Sequence, residues 1–253
     1  MAIALRTRKE IASLKAAGAL VARTLEHVGA MVSAGVSTRA ISEEAERFIV
    51  ANGARASFKG IYNPPFPCAV CTSKNEVIIH GVPDDTPLKE GDIVGLDIGV
   101  ELNGWYGDAA VTLPVGAISS DDERLIACSK SVLYHAIGEI RSGMHFKELS
   151  EVLEIAIGAQ GFVPLRGYCG HGIGRLPHEE PSILNYVEGR AKQGPKIKEG
   201  MVFCIEPMIC QKSGKCAVLA DKWSVVSEDG LNGSHYEHTV AIVGNKAEII
   251  SLA

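Results

Sequence analysis

Asp97 and Asp108 lie eleven residues apart, on the two arms of what reads as one β-hairpin. Asn103-Gly104, a strong two-residue turn signal, separates the apolar runs at 93–98 and 105–108. Pairing across that turn sets Asp97 opposite Ala110, with Asp108 its diagonal neighbour on the same face. Two acids in an otherwise apolar hairpin repel each other unless a cation lies between them. Two solvated acids on an exposed face are the plainer account of a single pair. A second pair, Glu206 and Glu237, stands in a like setting, and the plainer account then fits poorly.

An imidazole completes the set. His171, in Tyr168-Cys169-Gly170-His171-Gly172-Ile173-Gly174, has glycines that let the backbone approach something closely. A site rich in oxygen with one imidazole suits Mn, Fe, Co or Zn. Four carboxylates and one imidazole can hold two divalent ions about 3.5–4 Å apart, with one carboxylate from each half bridging. Such a pair of ions makes a hydroxide nucleophile near neutral pH and polarises a carbonyl, which is the chemistry of hydrolysis. His80 and His178 each open a His-x-x-Pro sequence and would flank the site, hydrogen-bonding a reacting carbonyl, a scissile nitrogen or an amine. His27, His135, His145 and His235 have no such context and read as ordinary residues. His238 follows Glu237 directly, so on a strand it points to the other face.

The elements that position these residues repeat. Lys89-Glu90-Gly91 and Lys198-Glu199-Gly200 coincide without a gap, which superposes Asp97 on Glu206. Asp108-Ala109-Ala110-Val111 likewise resembles Glu237-His238-Thr239-Val240, and the segment from Gly35 to Gly53 overlays that from Gly143 to Gly161. A period of about a hundred residues is too long for a solenoid. It predicts one catalytic unit over 1–253, made of two pseudo-symmetric halves at about 8–115 and 118–253. A helical stripe covers 8–32, and Ser37 caps a second helix ending near Gly53. Strands follow near 69–72 and 76–80, then the 93–112 hairpin. Ser120-Asp121-Asp122-Glu123 reads as a capping box for a third helix, and 146–160 as a fourth. Strands near 201–207, 216–226, 236–243 and 247–252 complete an α+β fold with a central antiparallel sheet and helices outside.

Composition excludes several classes. With 46% hydrophobic and 22% charged residues and a net charge of −5, nothing favours nucleic acid or an acidic membrane as partner. No apolar run approaches the ~18 residues of a membrane span, and the start is too short in apolar residues for a signal peptide. Seven cysteines without framework spacing suit a reducing compartment, so the expected location is the cytoplasm. No coiled-coil segment calls for oligomers, and a monomer is expected.

In order and with their neighbours, Asp97, Asp108, His171, Glu206 and Glu237 resemble the type I methionine aminopeptidases of the pita-bread fold. Asn75-Glu76-Val77 before His80-Gly81-Val82-Pro83-Asp84, Gly170-His171-Gly172-Ile173-Gly174-Arg175, Ile205-Glu206-Pro207-Met208 and Tyr236-Glu237-His238-Thr239 are similar to that family's motifs. The resemblance runs from about Glu10 to Val243. It implies that Asp97 chelates one metal ion, that Asp108 and Glu237 bridge two, and that His171 and Glu206 bind the other. Glu206 would also serve as general base, His80 would contact the substrate amine or scissile nitrogen, and His178 the substrate carbonyl. Phe66, Cys71 and Trp223 would line a methionine pocket. The implied activity is release of methionine from nascent chains when the next residue is small, with transient ribosome association; Met1-Ala2 of this chain fits that rule. Pro177, Cys204 and the proline-rich 58–66 loop depart from the family pattern and bear on pocket shape.

Two rivals share the fold. Xaa-Pro aminopeptidases and prolidases have the same five ligands but usually carry an additional amino-terminal domain, and here the core helices begin near residue 8. Catalytically inactive pita-bread proteins that bind peptides or partners typically lose ligands, whereas all five stand in this sequence.

Overall fold

The computed structural model describes residues 2–253; Met1, and with it the Met1-Ala2 bond, lies outside them. α1 (Arg8–Gly29) begins at Thr7, whose hydroxyl accepts the Glu10 N–H while the Glu10 carboxylate accepts the Thr7 N–H at 2.8 Å. That reciprocal pair satisfies two donors that a helix start leaves free. α2 (Thr38–Ala51) starts on Ser37, as its sequence predicts, with the Ala40 N–H 3.2 Å from the hydroxyl. α3 (Ser120–Glu139) is capped one residue earlier than expected. Ser119, not Ser120, accepts the Asp122 N–H at 3.1 Å and donates to the Asp122 carboxylate at 2.7 Å. α4 (Phe146–Ala159) follows a connection over 140–145 that turns at Gly143.

One antiparallel sheet of nine strands draws on both halves of the sequence. At its centre is the expected hairpin, Ile93–Leu102 with Trp105–Pro114, and Asp97 does face Ala110. Asn103 and Gly104 both take positive φ, 54° and 76°, the conformation a tight two-residue hairpin demands and the reason this dipeptide signals one. Beyond the hairpin the sheet continues through Glu237–Val243, Val202–Ile205, Cys169–Gly172 and Glu179–Leu184. Two three-stranded sheets flank it, one holding Gly233–His235 and Met208–Cys210, the other Val77–Ile79 and Val225–Ser227.

The expected strand at 201–207 stops at Ile205, because Pro207 has no N–H to give the ladder. The expected strand at 216–226 is a small hairpin, Cys216–Val218 with Val225–Ser227. Its turn is held by the Asp221 carboxylate, which accepts the Trp223 and Ser224 N–H groups at 2.8 and 2.9 Å.

Alternation decides what each face of the central sheet does. Val94, Leu96, Ile98 and Val100 pack with Leu20, Val21, Leu25 and Val28 of α1 and Ile41, Ala45 and Ile49 of α2. Phe203, Ile205, Val240 and Ile242 pack with α3 and α4 through Val132, Leu133, Leu149 and Leu153. Asp97, Asp108, Glu206 and Glu237 occupy the alternate positions, so all four project from the face opposite these apolar rows.

Candidate metal centre and its cavity

Register brings the acids into one row. Asp97 and Glu237 lie on either side of Ala110 in adjacent strands. His238 pairs with Ile205, which sets Glu237 beside Glu206. Asp108 stands two residues before Ala110 on the same strand face. Thr239 fixes this crossing: its hydroxyl donates to the Asp108 carbonyl at 2.7 Å and accepts the Asp108 N–H at 3.3 Å.

His171 enters from the strand Cys169–Gly172. Its Nε2 is 3.5 Å from Glu206 Oε1 and 4.0 Å from both Asp108 Oδ2 and Glu237 Oε1. The flanking glycines bring this strand against its neighbours, not against a ligand. A Cβ on Gly170 would lie 2.5 Å from the Cys204 carbonyl oxygen, and one on Gly172 would lie 2.1 Å from that of Glu180.

Asp97, Asp108 and Glu237 offer oxygens within 4.8 Å of one another. Asp108, Glu206 and Glu237 surround the His171 Nε2. Asp108 and Glu237 belong to both sets. Asp97 Oδ1, Asp108 Oδ1 and Glu237 Oε1 are buried without a hydrogen-bond partner. Burial raises the Asp97 carboxyl to about 6. Burial and repulsion from the neighbouring acids hold Asp108, Glu206 and Glu237 well above the usual carboxylate range. His171, pushed down to about 3 by burial, offers a neutral ring nitrogen. A buried ion without a partner costs several kcal/mol, so four clustered acids with orphaned oxygens make sense chemically as ligands for cations. The donor set fits divalent metal.

These residues form one wall of a cavity of about 370 Å³. The cavity also takes in His80, His178, Phe66, Cys71 and Trp223, so every site residue expected from the sequence lines it. Phe66 and Cys71 are buried and pack with Phe58, Ile61 and Trp223, and the rings of Phe66 and Trp223 meet edge to face at 5.2 Å. Pro177 does not line the cavity. Cys204 is buried beneath the acids, its Sγ 3.4 Å from the Thr239 hydroxyl.

Two residues escaped the sequence reading. Tyr62, with φ of 70°, leans over the cavity, where its hydroxyl contacts His178 Nδ1 and its ring lies 5.9 Å from Trp223. His235, read as an ordinary residue, is buried with its Nε2 3.5 Å from Glu206 Oε2. Its signal was its place two residues before Glu237, since alternation along a strand puts such residues on one face.

The model of metallopeptidase family M24 matches residues 12–243. The chain belongs to this family. It is 60% identical over 253 residues to the methionine aminopeptidase of Helicobacter pylori strain J99, with 99% of both chains covered. Methionine aminopeptidase 1 of Bacillus subtilis is 40% identical, over 97% of this chain and 98% of that protein. The crystal structure of methionine aminopeptidase from Thermotoga maritima superposes with a TM-score of 0.96 at 34% identity, covering 100% of both. Prolidase from Pyrococcus furiosus shares the fold at a TM-score of 0.80 and 24% identity, and this chain covers 65% of it. The architecture is thus the pita-bread fold of M24 enzymes, and the chain is a metallopeptidase.

Proposed function

We propose that this chain removes the amino-terminal methionine from nascent polypeptides whose second residue is small. The observation that carries this reading is one cavity with two unlike walls. A row of four carboxylates and an imidazole forms one, and the apolar, sulfur-tolerant pocket of Phe58, Phe66, Cys71 and Trp223 forms the other. An unbranched thioether fits the second wall while its peptide bond meets the first. The full-length likeness to methionine aminopeptidases supports the same assignment.

In this reading Asp97 would serve one divalent ion, His171 and Glu206 a second, and Asp108 and Glu237 both. When bound, the ions supply Lewis-acid polarisation and activation of water. Glu206 takes the proton that water gives up and passes it to the leaving nitrogen. His80, lowered to about 4 by burial, is neutral and hydrogen-bonds the substrate amine or scissile nitrogen. His178 donates to the carbonyl oxygen. The contact between the Tyr62 hydroxyl and Nδ1 suits that role, because a ring accepting at Nδ1 carries its hydrogen on Nε2. Seven free thiols agree with the reducing cytoplasm, where nascent chains are met as they leave the ribosome. Among the described residues no helix is long and apolar enough to cross a membrane.

Exhaustive chelation should abolish release of methionine from a Met-Ala peptide, and added Mn, Co or Fe should restore it. Activity that persists in metal-free protein contradicts the reading. Asp108→Ala or Glu237→Ala should lose metal along with activity.

A further inference from the structure

Glu206 is flanked on both carboxylate oxygens by imidazoles. Oε1 lies 3.5 Å from His171 Nε2, and Oε2 lies 3.5 Å from His235 Nε2. The second imidazole has no role in the chemistry proposed above. His235 is only 4% exposed, its Nε2 has no hydrogen-bond partner, and Glu237 Oε2 stands 3.9 Å away. A ring nitrogen that faces two carboxylate oxygens and no donor is placed to give one of them a hydrogen, or to join them at an ion.

The backbone behind the ring is fixed. The Thr112 hydroxyl donates to the His235 carbonyl and accepts the His235 N–H, both at 2.9 Å. His235 also pairs with Met208, two residues beyond Glu206. On the other side the Asn185 amide donates to the Glu206 carbonyl at 2.9 Å. Glu206 is therefore held at its main chain by Asn185 and faced at one carboxylate oxygen by the buried ring of His235.

We propose that His235 is a positioning residue of the metal centre. Its Nε2 faces Glu206 Oε2 from 3.5 Å, and a hydrogen given there would keep Oε1 turned toward His171 and the ion those two residues would share. This rests on the ligand assignment made above. A hydrogen bond to a ligating carboxylate fixes its orientation, and loss of such a partner typically weakens metal binding about 10–100-fold.

The test is a calorimetric titration of metal-free protein with Co²⁺, followed also by visible absorption, on the parent, His235→Leu and His235→Gln. His235→Leu removes the donor and keeps an apolar side chain, while His235→Gln presents an amide N–H in its place. The expected result is two Co²⁺ events in the parent, of which His235→Leu weakens one by about 10–100-fold and spares the other. His235→Gln should recover most of that loss, with the Co²⁺ absorption of the parent. Thermal unfolding of each metal-free variant shows that it is folded before titration. If His235→Leu binds both ions like the parent, the inference is overturned. It is also overturned if both variants lose the ion alike and the Co²⁺ spectrum shows one nitrogen fewer, since His235 would then be a ligand. A parent that binds no Co²⁺ contradicts the metal-centre assignment instead, so the two failures are distinct.

Discussion

Glu206 has two duties in the proposed chemistry, holding an ion and moving a proton, and the geometry allows them to be separated. Glu206→Gln keeps an oxygen for the metal but cannot take a proton, so kcat should fall by about 10²–10⁴ while KM for a Met-Ala peptide stays within a few-fold. His178→Ala should lower kcat by about 10²–10³, because a hydrogen bond to the carbonyl strengthens as charge develops on oxygen. Steady-state kinetics on both variants checks this, and changes confined to KM would contradict the assigned roles. At this scale the sequence was informative where a residue type is costly without a purpose. Asp97, Asp108 and Glu237 are buried and Glu206 nearly so, which is expensive for carboxylates, and they stand out for that reason. Tyr62 and His235 do not, because an exposed tyrosine and a buried histidine both occur in many proteins without function. Only the fold shows the Tyr62 hydroxyl meeting His178 and the His235 ring facing Glu206.

Elements with a local signal were legible, and those defined by distant partners were not. The helices announce themselves by apolar spacing and caps, and the 93–114 hairpin by Asn103-Gly104. The strands Cys169–Gly172 and Glu179–Leu184 carry glycine or proline and no clean alternation. They are strands because Val202–Ile205 offers an edge to the first, and the first offers one to the second, which no local pattern reveals. Close packing is similarly hidden. Gly18 lies inside α1, where alanine ordinarily gains about 1 kcal/mol by helix propensity. Here a Cβ would stand 2.3 Å from the Ile250 carbonyl oxygen, a backbone atom that cannot swing aside. Overpacking costs about 1–3 kcal/mol or more, so Gly18→Ala should destabilise the protein by about 1–2 kcal/mol net. Urea unfolding of the metal-free protein measures it, and a stabilised variant would mean that α1 is free to move away from the chain end.

The whole molecule gathers four acids from both halves of the sequence on one face of a sheet, and its stability without metal should show the strain. Asp97 holds its proton more tightly folded, up to about 6, than the 3.8 of a free carboxyl. The stabilisation linked to that proton is full below the unfolded value and lost as pH rises through about 6. Asp108, Glu206 and Glu237 shift the same way. Metal-free protein should therefore melt at a lower temperature at pH 7.5 than at pH 5, while Mn²⁺ or Co²⁺ should raise Tm more at pH 7.5. Calorimetric scans at both pH values check this, and a metal-free Tm that rises over the interval would contradict the buried cluster. Two helix pairs outside and one shared sheet inside also describe prolidase, whose fold this chain shares, so overall shape does not decide which peptides are cut. In the proposed reading the cavity does, through the walls of Phe66, Cys71 and Trp223. The most direct measurement is kcat/KM of the metal-loaded protein across Met-Ala, Met-Leu, Leu-Ala and Ala-Pro peptides. Met-Ala should exceed Leu-Ala and Met-Leu by about tenfold or more, and Ala-Pro should be hardly cut; a preference for Ala-Pro, or equal rates for Met-Ala and Leu-Ala, would contradict the account.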